Sequence, residues 1–266
     1  IASLEAKLKR AYLEKIVLED RNMHLEEELS SLKEKGAYIY KYPHAALTTD
    51  CVVFGFDGKE LHILLVERGG DPYKGMWALP GGFMRIDETV EQCARRELIE
   101  ETNWKGEIFL EQFRVYSAVK RDSRERVVTV AFLALVGKGS WSPEGGDDAS
   151  DAKWWKLDDL PALAFDHEEI VRDARVFLKE RMRTKPLAFE LLGEKFKMSE
   201  LQKLFETVLE TEYDRRNFAR KMISSGYLET TDEEEMTGAR PAQLFSFKAE
   251  EYERNAAAGG RNPFDI

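Results

Sequence analysis

Cysteine is almost missing: the 266 residues hold only Cys51 and Cys93. One lies in a strand-like pattern and the other in a helix-like one. Neither a disulfide framework nor a cysteine-based metal site is therefore expected, and a reducing cytoplasm is the expected compartment. Histidine is scarce too. His24, His44, His62 and His167 show no metal-like spacing and read as structural, with His167 set apart by its place at a domain junction. Long apolar runs are also lacking. The longest, Val127 to Val136, is interrupted by Thr129 and falls far short of the roughly 20 residues a membrane helix needs. No charged-then-apolar leader opens the chain, so no signal peptide is expected; it starts at Ile1, as a fragment, a processed form or a fusion would. Positive charge is outnumbered, 40 Lys and Arg against 50 Asp and Glu for a net charge of −10. That argues against a general polyanion binder but leaves room for a local basic face. What is present suffices for real cores: 43% hydrophobic and 11% aromatic residues, on a length that fits two compact domains and an accessory segment.

Three blocks follow one another. Residues 1–35 read as a heptad helix, with Ile1, Leu8, Lys15, Asn22 and Leu29 at a and Leu4, Ala11, Leu18, Leu25 and Leu32 at d. No Gly or Pro interrupts it before Gly36, and Asn22 at a is a polar residue of the kind that fixes a parallel, in-register dimer. The stretch Asn22 to Leu29 resembles the yeast bZIP-type leucine zipper, but no basic region precedes it, so this helix is not expected to grip DNA. Residues 37–166 look α+β. Cys51 to Phe56 and Leu61 to Glu67 read as strands joined through Asp57-Gly58, Val127 to Val136 as a buried strand, and Ala152 to Leu157 as another. Glu168 to Arg181 reads as helical, a linker over 167–185. Residues 186–266 have the order helix, short turn, helix, hairpin: Ser199 capping a helix to Leu209, a second helix from Asp214 to Ser225 closed by Gly226, then Tyr227-Leu228 and the alternating strand Gln243 to Lys248. That is the order of a winged helix.

The chemistry is concentrated in one motif: Gly82, five residues, Glu88, seven residues, then Arg96-Glu97-Leu98-Ile99-Glu100-Glu101-Thr102-Asn103-Trp104. At about 100° per residue, Glu97, Glu100 and Glu101 share one helix face. Three unpaired carboxylates that close would repel one another, a penalty that a hard divalent cation such as Mg²⁺ or Mn²⁺ removes. Arg96 is placed to pair with Glu88 and brace the loop that Pro80-Gly81-Gly82 lets approach a ligand. Metal-assisted attack of water on a pyrophosphate is the implied chemistry; the bland alternative is an amphipathic helix with a charged face.

This spacing matches the Nudix box, except that Asn103 and Trp104 stand where the box has Gly and an aliphatic residue. Asn tolerates a positive φ, so the helix end should survive. By resemblance, Glu97, Glu100 and Glu101 are the metal ligands and Arg96 and Glu88 the structural pair. A distal carboxylate would come from Glu144, Asp147 or Asp148, with no motif to choose among them. Further stretches, Ala45 to Gly55, Val66 to Gly69, Trp77 to Phe83, Arg124 to Ala131 and Leu163 to His167, resemble the Nudix-related transcriptional regulators called NrtR. The resemblance covers about Tyr40 to Lys248. It implies a Nudix α/β/α sandwich that senses ADP-ribose or a related sugar phosphate, followed by a winged helix that binds DNA as a homodimer. Arg68 and Arg126 are candidates for ligand phosphates, since a guanidinium fork suits phosphate.

Asp214 to Lys221 carries a net charge of +3 at the start of the second C-terminal helix. Arg215, Arg216 and Asn217 lie where such helices meet base edges, Arg220 and Lys221 where they meet phosphates, and Phe218 and Met222 should face the core. Arg240 belongs to a stretch that resembles the family's wing. The acidic run Asp232 to Glu235 beside it should repel DNA unless it points away. Two readings compete: a DNA-binding regulator with an ADP-ribose-like effector, and a Mg²⁺-dependent ADP-ribose pyrophosphatase whose C-terminal module touches no DNA. A zipper-assembled scaffold with neither activity is a third, and no membrane partner is expected.

Overall fold

The computed structural model describes residues 2–34, 41–106, 108–137, 152–237 and 240–257, and the chain forms two compact units, Ile1–His44 and Ala45–Ile266. No helix among the described residues is long and apolar enough to cross a membrane. The first unit holds α1 (Ala2–Glu34), a single uninterrupted helix. The i,i+4 pairs Arg10–Glu14 at 3.0 Å and Lys15–Glu19 at 3.6 Å run along it. The heptad leucines Leu8, Leu18, Leu25 and Leu29 are exposed.

The second unit opens with β1 (Ala46–Phe56), β2 (Leu61–Glu67), β3 (Trp77–Ala78), β4 (Gly81–Phe83), α2 (Val90–Thr102), β5 (Phe109–Tyr116), β6 (Val127–Val136), β7 (Ala152–Lys156) and α3 (His167–Thr184). Their sheet has the order β3-β2-β1-β6-β5, with β4 also paired to β1 and β7 to β2. β1 and β6 run parallel at its centre, in register from Ala46–Val127 to Gly55–Val136. Parallel strands buried on both faces favour a near-continuous apolar run, which β6 and the Cys51–Phe56 half of β1 supply, while Thr48, Thr49 and Asp50 place buried polar groups in the first half of β1. Successive side chains go to opposite faces. Cys51 and Val53 pack with Ala94 and Leu98 of α2, while Val52 and Phe54 pack with Ile170, Ala174 and Leu178 of α3. This is the expected α/β/α sandwich. The β1–β2 connection turns at Gly58 (φ +98°), where the Asp57 carboxylate accepts the Lys59 and Glu60 amides.

α2 is set by its ends. Thr89 Oγ1 accepts the Gln92 amide and Gln92 Oε1 accepts the Thr89 amide, a reciprocal capping box. Asn103 closes the helix at φ +53°, donating its amide to the Ile99 carbonyl, so the substitution for Gly in the box is tolerated as anticipated.

The expectation of a linker over 167–185 needs correcting. α3 buries Ile170, Val171, Ala174, Leu178 and Met182, and these side chains belong to one core that continues through Leu187 and Leu191 into the C-terminal domain. Its apolar positions recur at helical spacing, so it is a layer of the sandwich as well as a connection. Beyond it lie α4 (Ala188–Leu192), β8 (Phe196–Lys197), α5 (Met198–Leu209), α6 (Arg215–Ser224), β9 (Leu228–Thr237), β10 (Arg240–Phe247) and α7 (Ala249–Ala257), with a second sheet of order β8-β10-β9. This is a winged helix, to which the sequence reading lacked α4 and β8. Ser199 does not cap α5: the helix starts at Met198, and its first turn is closed by Glu200 Oε2 accepting the Lys197 amide at 3.0 Å. α3 also grips the turn between α5 and α6. Arg175 and Lys179 hold the Glu210 carboxylate at 3.0 and 2.9 Å, with Glu210 itself at φ +54°.

Because Leu178 is 1% exposed in the shared core, Leu178→Ala should cost about 2–5 kcal/mol. Calorimetry should show both domains melting earlier in a single transition; two separated transitions would contradict the shared core.

Candidate ligand cleft and DNA-binding face

A cleft of about 220 Å³ opens at one end of the central sheet, between β1, β2, β4, α2, the loop before β6 and the start of α3. Its glycines are there for space. A Cβ on Gly81 would collide with the Thr49 carbonyl oxygen, and one on Gly82 would stand 2.5 Å from the Glu97 carboxylate. With neither present, the Gly81 amide donates to Glu101 Oε2 at 2.8 Å.

Arg96 is the hub of the acidic face. It makes a two-pronged bond to Glu88 (Nε–Oε2 2.9 Å, Nη2–Oε1 2.6 Å), reaches Glu97 at 2.6 Å and Glu100 at 2.9 Å, and donates to the Phe83 carbonyl at 3.1 Å. The Arg96 hydrogen bonds hold the Glu88 carboxyl down at about 2. The expected brace is thus present, and it has a consequence for the three candidate ligands. Glu97 lies beneath Gly82 in its ion pair, Glu100 is shared by Arg85 and Arg96, and only Glu101 of the three lines the cleft. Among the described residues, no three carboxylates, imidazoles or thiols are gathered as a metal cage. The Arg96 guanidinium relieves part of the carboxylate repulsion at Glu97 and Glu100. Glu101 keeps the remainder. Burial pushes its carboxyl up to about 7, and the nearby Glu97 and Asp50 charges add to the shift despite the Gly81 amide. A divalent ion beside Glu101 fits that uncompensated charge.

Opposite lies a cationic wall. Arg68 stacks on the Phe165 ring at 4.7 Å, its Nε donating to the Pro72 carbonyl at 2.8 Å. Arg124 lies 5.8 Å from the same ring and 5.2 Å from that of Phe83, and is held by Asp122 at 2.7 Å. Burial, and then Arg124, lower the Arg68 pKa. Phe165 holds φ +55°, a conformation uncommon for a bulky residue, at the wall of the cleft. Arg126, the other candidate for ligand phosphates, lies elsewhere. Its guanidinium donates to the carbonyls of Ser117, Ala118 and Val127 at 2.9–3.2 Å, so it fastens the loop and does not line the cleft.

The floor is a buried network that the sequence did not disclose. Asp50 lies on β1; Arg121 Nη2 reaches its Oδ2 at 3.2 Å and makes a two-pronged bond to Asp166 at 2.7 and 2.9 Å. His167 Nδ1 accepts the Leu79 amide at 2.9 Å, which leaves the Nε2 proton directed toward Asp50 Oδ1 at 3.5 Å. Burial lowers the His167 pKa, so the ring is neutral. The signal available in the sequence was the cluster of arginines at 121, 124 and 126; only the fold separates their roles. The suggested distal carboxylates Glu144, Asp147 and Asp148 lie outside the described residues.

The second site is α6. Asp214 caps it by accepting the Asn217 amide at 2.9 Å. Phe218 and Met222 are buried, Phe218 edge-on to Phe205, and this anchoring turns Arg215, Arg216, Asn217, Arg220 and Lys221 to the surface. Arg220 donates to Asn217 Oδ1 at 2.7 Å. The acidic run on β9 is partly neutralised from β8 and the residue before it: Glu233 pairs with Lys195 and Glu235 with Lys197, each at 2.7 Å. Arg240 begins β10, and its side chain lies outside the described residues.

Fold and cleft together define a class, a Nudix domain joined to a winged helix. Comparison with known proteins agrees: residues 44–174 match the family described as NUDIX domain, and residues 188–247 that described as NrtR DNA-binding winged helix domain. The chain is 34% identical over 218 residues to the ADPR responsive transcriptional repressor NtrR of Acinetobacter baylyi, covering 80% of this chain and 86% of that one. Shewanella oneidensis NrtR, in a crystal structure with a 27mer DNA, superposes with a TM-score of 0.69 at 32% identity over 78% of this chain and 95% of that one. An ADP-ribose pyrophosphatase of Methanocaldococcus jannaschii is 40% identical over 143 residues, 53% of this chain and 80% of that one. The chain belongs to the NrtR family of Nudix-related regulators.

The raised Glu101 carboxyl makes a stability prediction. Its charged form is disfavoured in the folded state, so without metal the wild type loses stability as pH rises from about 4.5 through about 7. Glu101→Gln keeps the Gly81 bond and escapes that loss. In chelator, its stability advantage in urea should grow between pH 5 and pH 8 by up to about 3 kcal/mol; a pH-independent difference would contradict the assignment.

Proposed function

We propose that this chain is a ligand-responsive transcription regulator that binds double-stranded DNA as a homodimer, with ADP-ribose or a related nucleoside-diphosphate sugar as the ligand of its Nudix cleft. The observation that carries the reading is the exposed cationic face of α6, on a winged helix whose core is continuous through α3 with the domain that holds the cleft. Arg215, Arg216 and Asn217 would read base edges, Arg220 and Lys221 would hold phosphates, and Arg240 would reach backbone or minor groove. Two guanidiniums on one wall of the cleft suit a diphosphate. Such a ligand changes DNA affinity only as far as it binds the two arrangements of the dimer unequally. The cytoplasm, where a reducing environment and DNA coincide in a cell without a nucleus, suits this role.

Arg215→Ala with Arg216→Ala should weaken binding to a palindromic duplex, selected from a randomised pool, by at least about 100-fold. ADP-ribose affinity, read by calorimetry, should be unchanged. Unaltered DNA affinity would remove the regulator reading.

A second reading, Mg²⁺- or Mn²⁺-dependent hydrolysis of ADP-ribose to AMP and ribose 5-phosphate, is favoured by the complete acidic box and by Glu101 in the cleft. Glu97, Glu100 and Glu101 would hold the ion, which would supply positive charge for attack of water on the pyrophosphate. Arg96 and Glu88 would hold the box in place, and Arg68 and Arg124 would orient the phosphates. This reading expects AMP release under Mg²⁺ or Mn²⁺ and its loss, by about 100-fold or more, in Glu101→Gln. Absence of AMP release from the wild type would leave a sensor without turnover.

A further inference from the structure

α1 is the long element that neither family match reaches, since the Nudix match begins at residue 44. We propose that α1 pairs with α1 of a second copy of this chain as a parallel, in-register two-stranded coiled coil. Leu8, Leu18, Leu25 and Leu29 are 72, 59, 51 and 39% exposed, although all fall on the one seam of a and d positions. At 1.5 Å per residue the seam runs for about 50 Å, enough for more than four heptads. Tyr12, Leu13, Ile16, Val17 and Met23 are also exposed, but they scatter over positions e, f, b and c, and Lys9, Asp20, Glu27 and Ser30 interrupt b and f, so they form no competing seam.

Charge and one buried amide select the occupant and its direction. In a parallel pair, each g residue faces the e residue five positions on in the other helix. Arg21 then meets Glu26 of the second helix, twice across the dyad. Lys15 at a lies beside Glu14 at g of the other helix, which offsets the like-charge Glu14–Glu19 pair. Asn22 faces its own copy and the two amides can bond to each other. In an antiparallel pair, an a residue faces a d residue, and every d residue here is Leu or Ala. Asn22 would then be buried against a hydrocarbon side chain with its amide unmatched.

The test uses the full chain carrying Leu25→Cys, a d position whose two copies adjoin only in the parallel register. His24→Cys, one residue round the helix at c, is the control. Cys51 and Cys93 are buried and do not compete. Under mild oxidation, Leu25→Cys should form covalent dimer at least tenfold faster than His24→Cys, and Leu18→Asp added to it should remove the difference. Equal rates, or no dimer from Leu25→Cys, would overturn the proposal. The cross-link is read without DNA or ligand, so it stands or falls apart from the regulator reading.

Discussion

A carboxylate buried in the sheet sets the terms for the rest of the second unit. Asp50 sits on the central strand β1, 7% exposed, where an unpaired charge would cost several kcal/mol. Its compensation comes from two places far away in sequence: Arg121 from the loop before β6, and the Nε2 proton of His167 at the first turn of α3. Arg121 in turn is fixed by Asp166, the residue preceding α3. Satisfying one charge therefore locks three segments together, and the same lock forms the floor of the cleft. Buried ion pairs are weak evidence for stability but strong evidence for a fixed geometry when every member is satisfied.

α3 carries that geometry away from the cleft. Its first residue touches Asp50, its middle buries Ala174 and Leu178 against the sheet, and Arg175 and Lys179 hold Glu210 at the turn between the two helices of the winged domain. A flexible linker would let the winged helix reorient at no cost. A helix built into a common core does not, so any change at its first turn is shared by the elements packed along it. This arrangement gives a ligand in the cleft a physical route to the DNA-binding face without a separate hinge domain.

Arg96 plays a second organising part on the opposite wall. By engaging Glu88, Glu97, Glu100 and the Phe83 carbonyl, it holds the acidic face of α2 against the glycine loop. The like-charge problem visible in the spacing is met at Glu97 by Arg96, at Glu100 by Arg96 and Arg85 together, and left open at Glu101. Pairing two of the acids with arginine while one carboxyl stays buried in the cleft leaves a place whose charge favours a cation.

Local periodicity made much of this legible from the chain alone. The two central strands as separate elements, α2 with its three glutamates and Arg96–Glu88 pair, Asn103 at the helix end, the buried Phe218 and Met222 under a basic α6 and the heptads of α1 each follow from residues a few positions apart, where backbone geometry fixes the neighbours. What spacing could not disclose is which distant segments meet. Arg124 and Arg126 are two residues apart, yet one walls the cleft and the other binds loop carbonyls, because the path of the loop decides which acceptors each can reach. α3 reads as a connector until its apolar face is seen filled by the sheet. Sequence determined the elements and the charges they carry; tertiary structure decided which charges are buried together, and burial is what turns Asp50, His167 and Glu101 from ordinary side chains into a site.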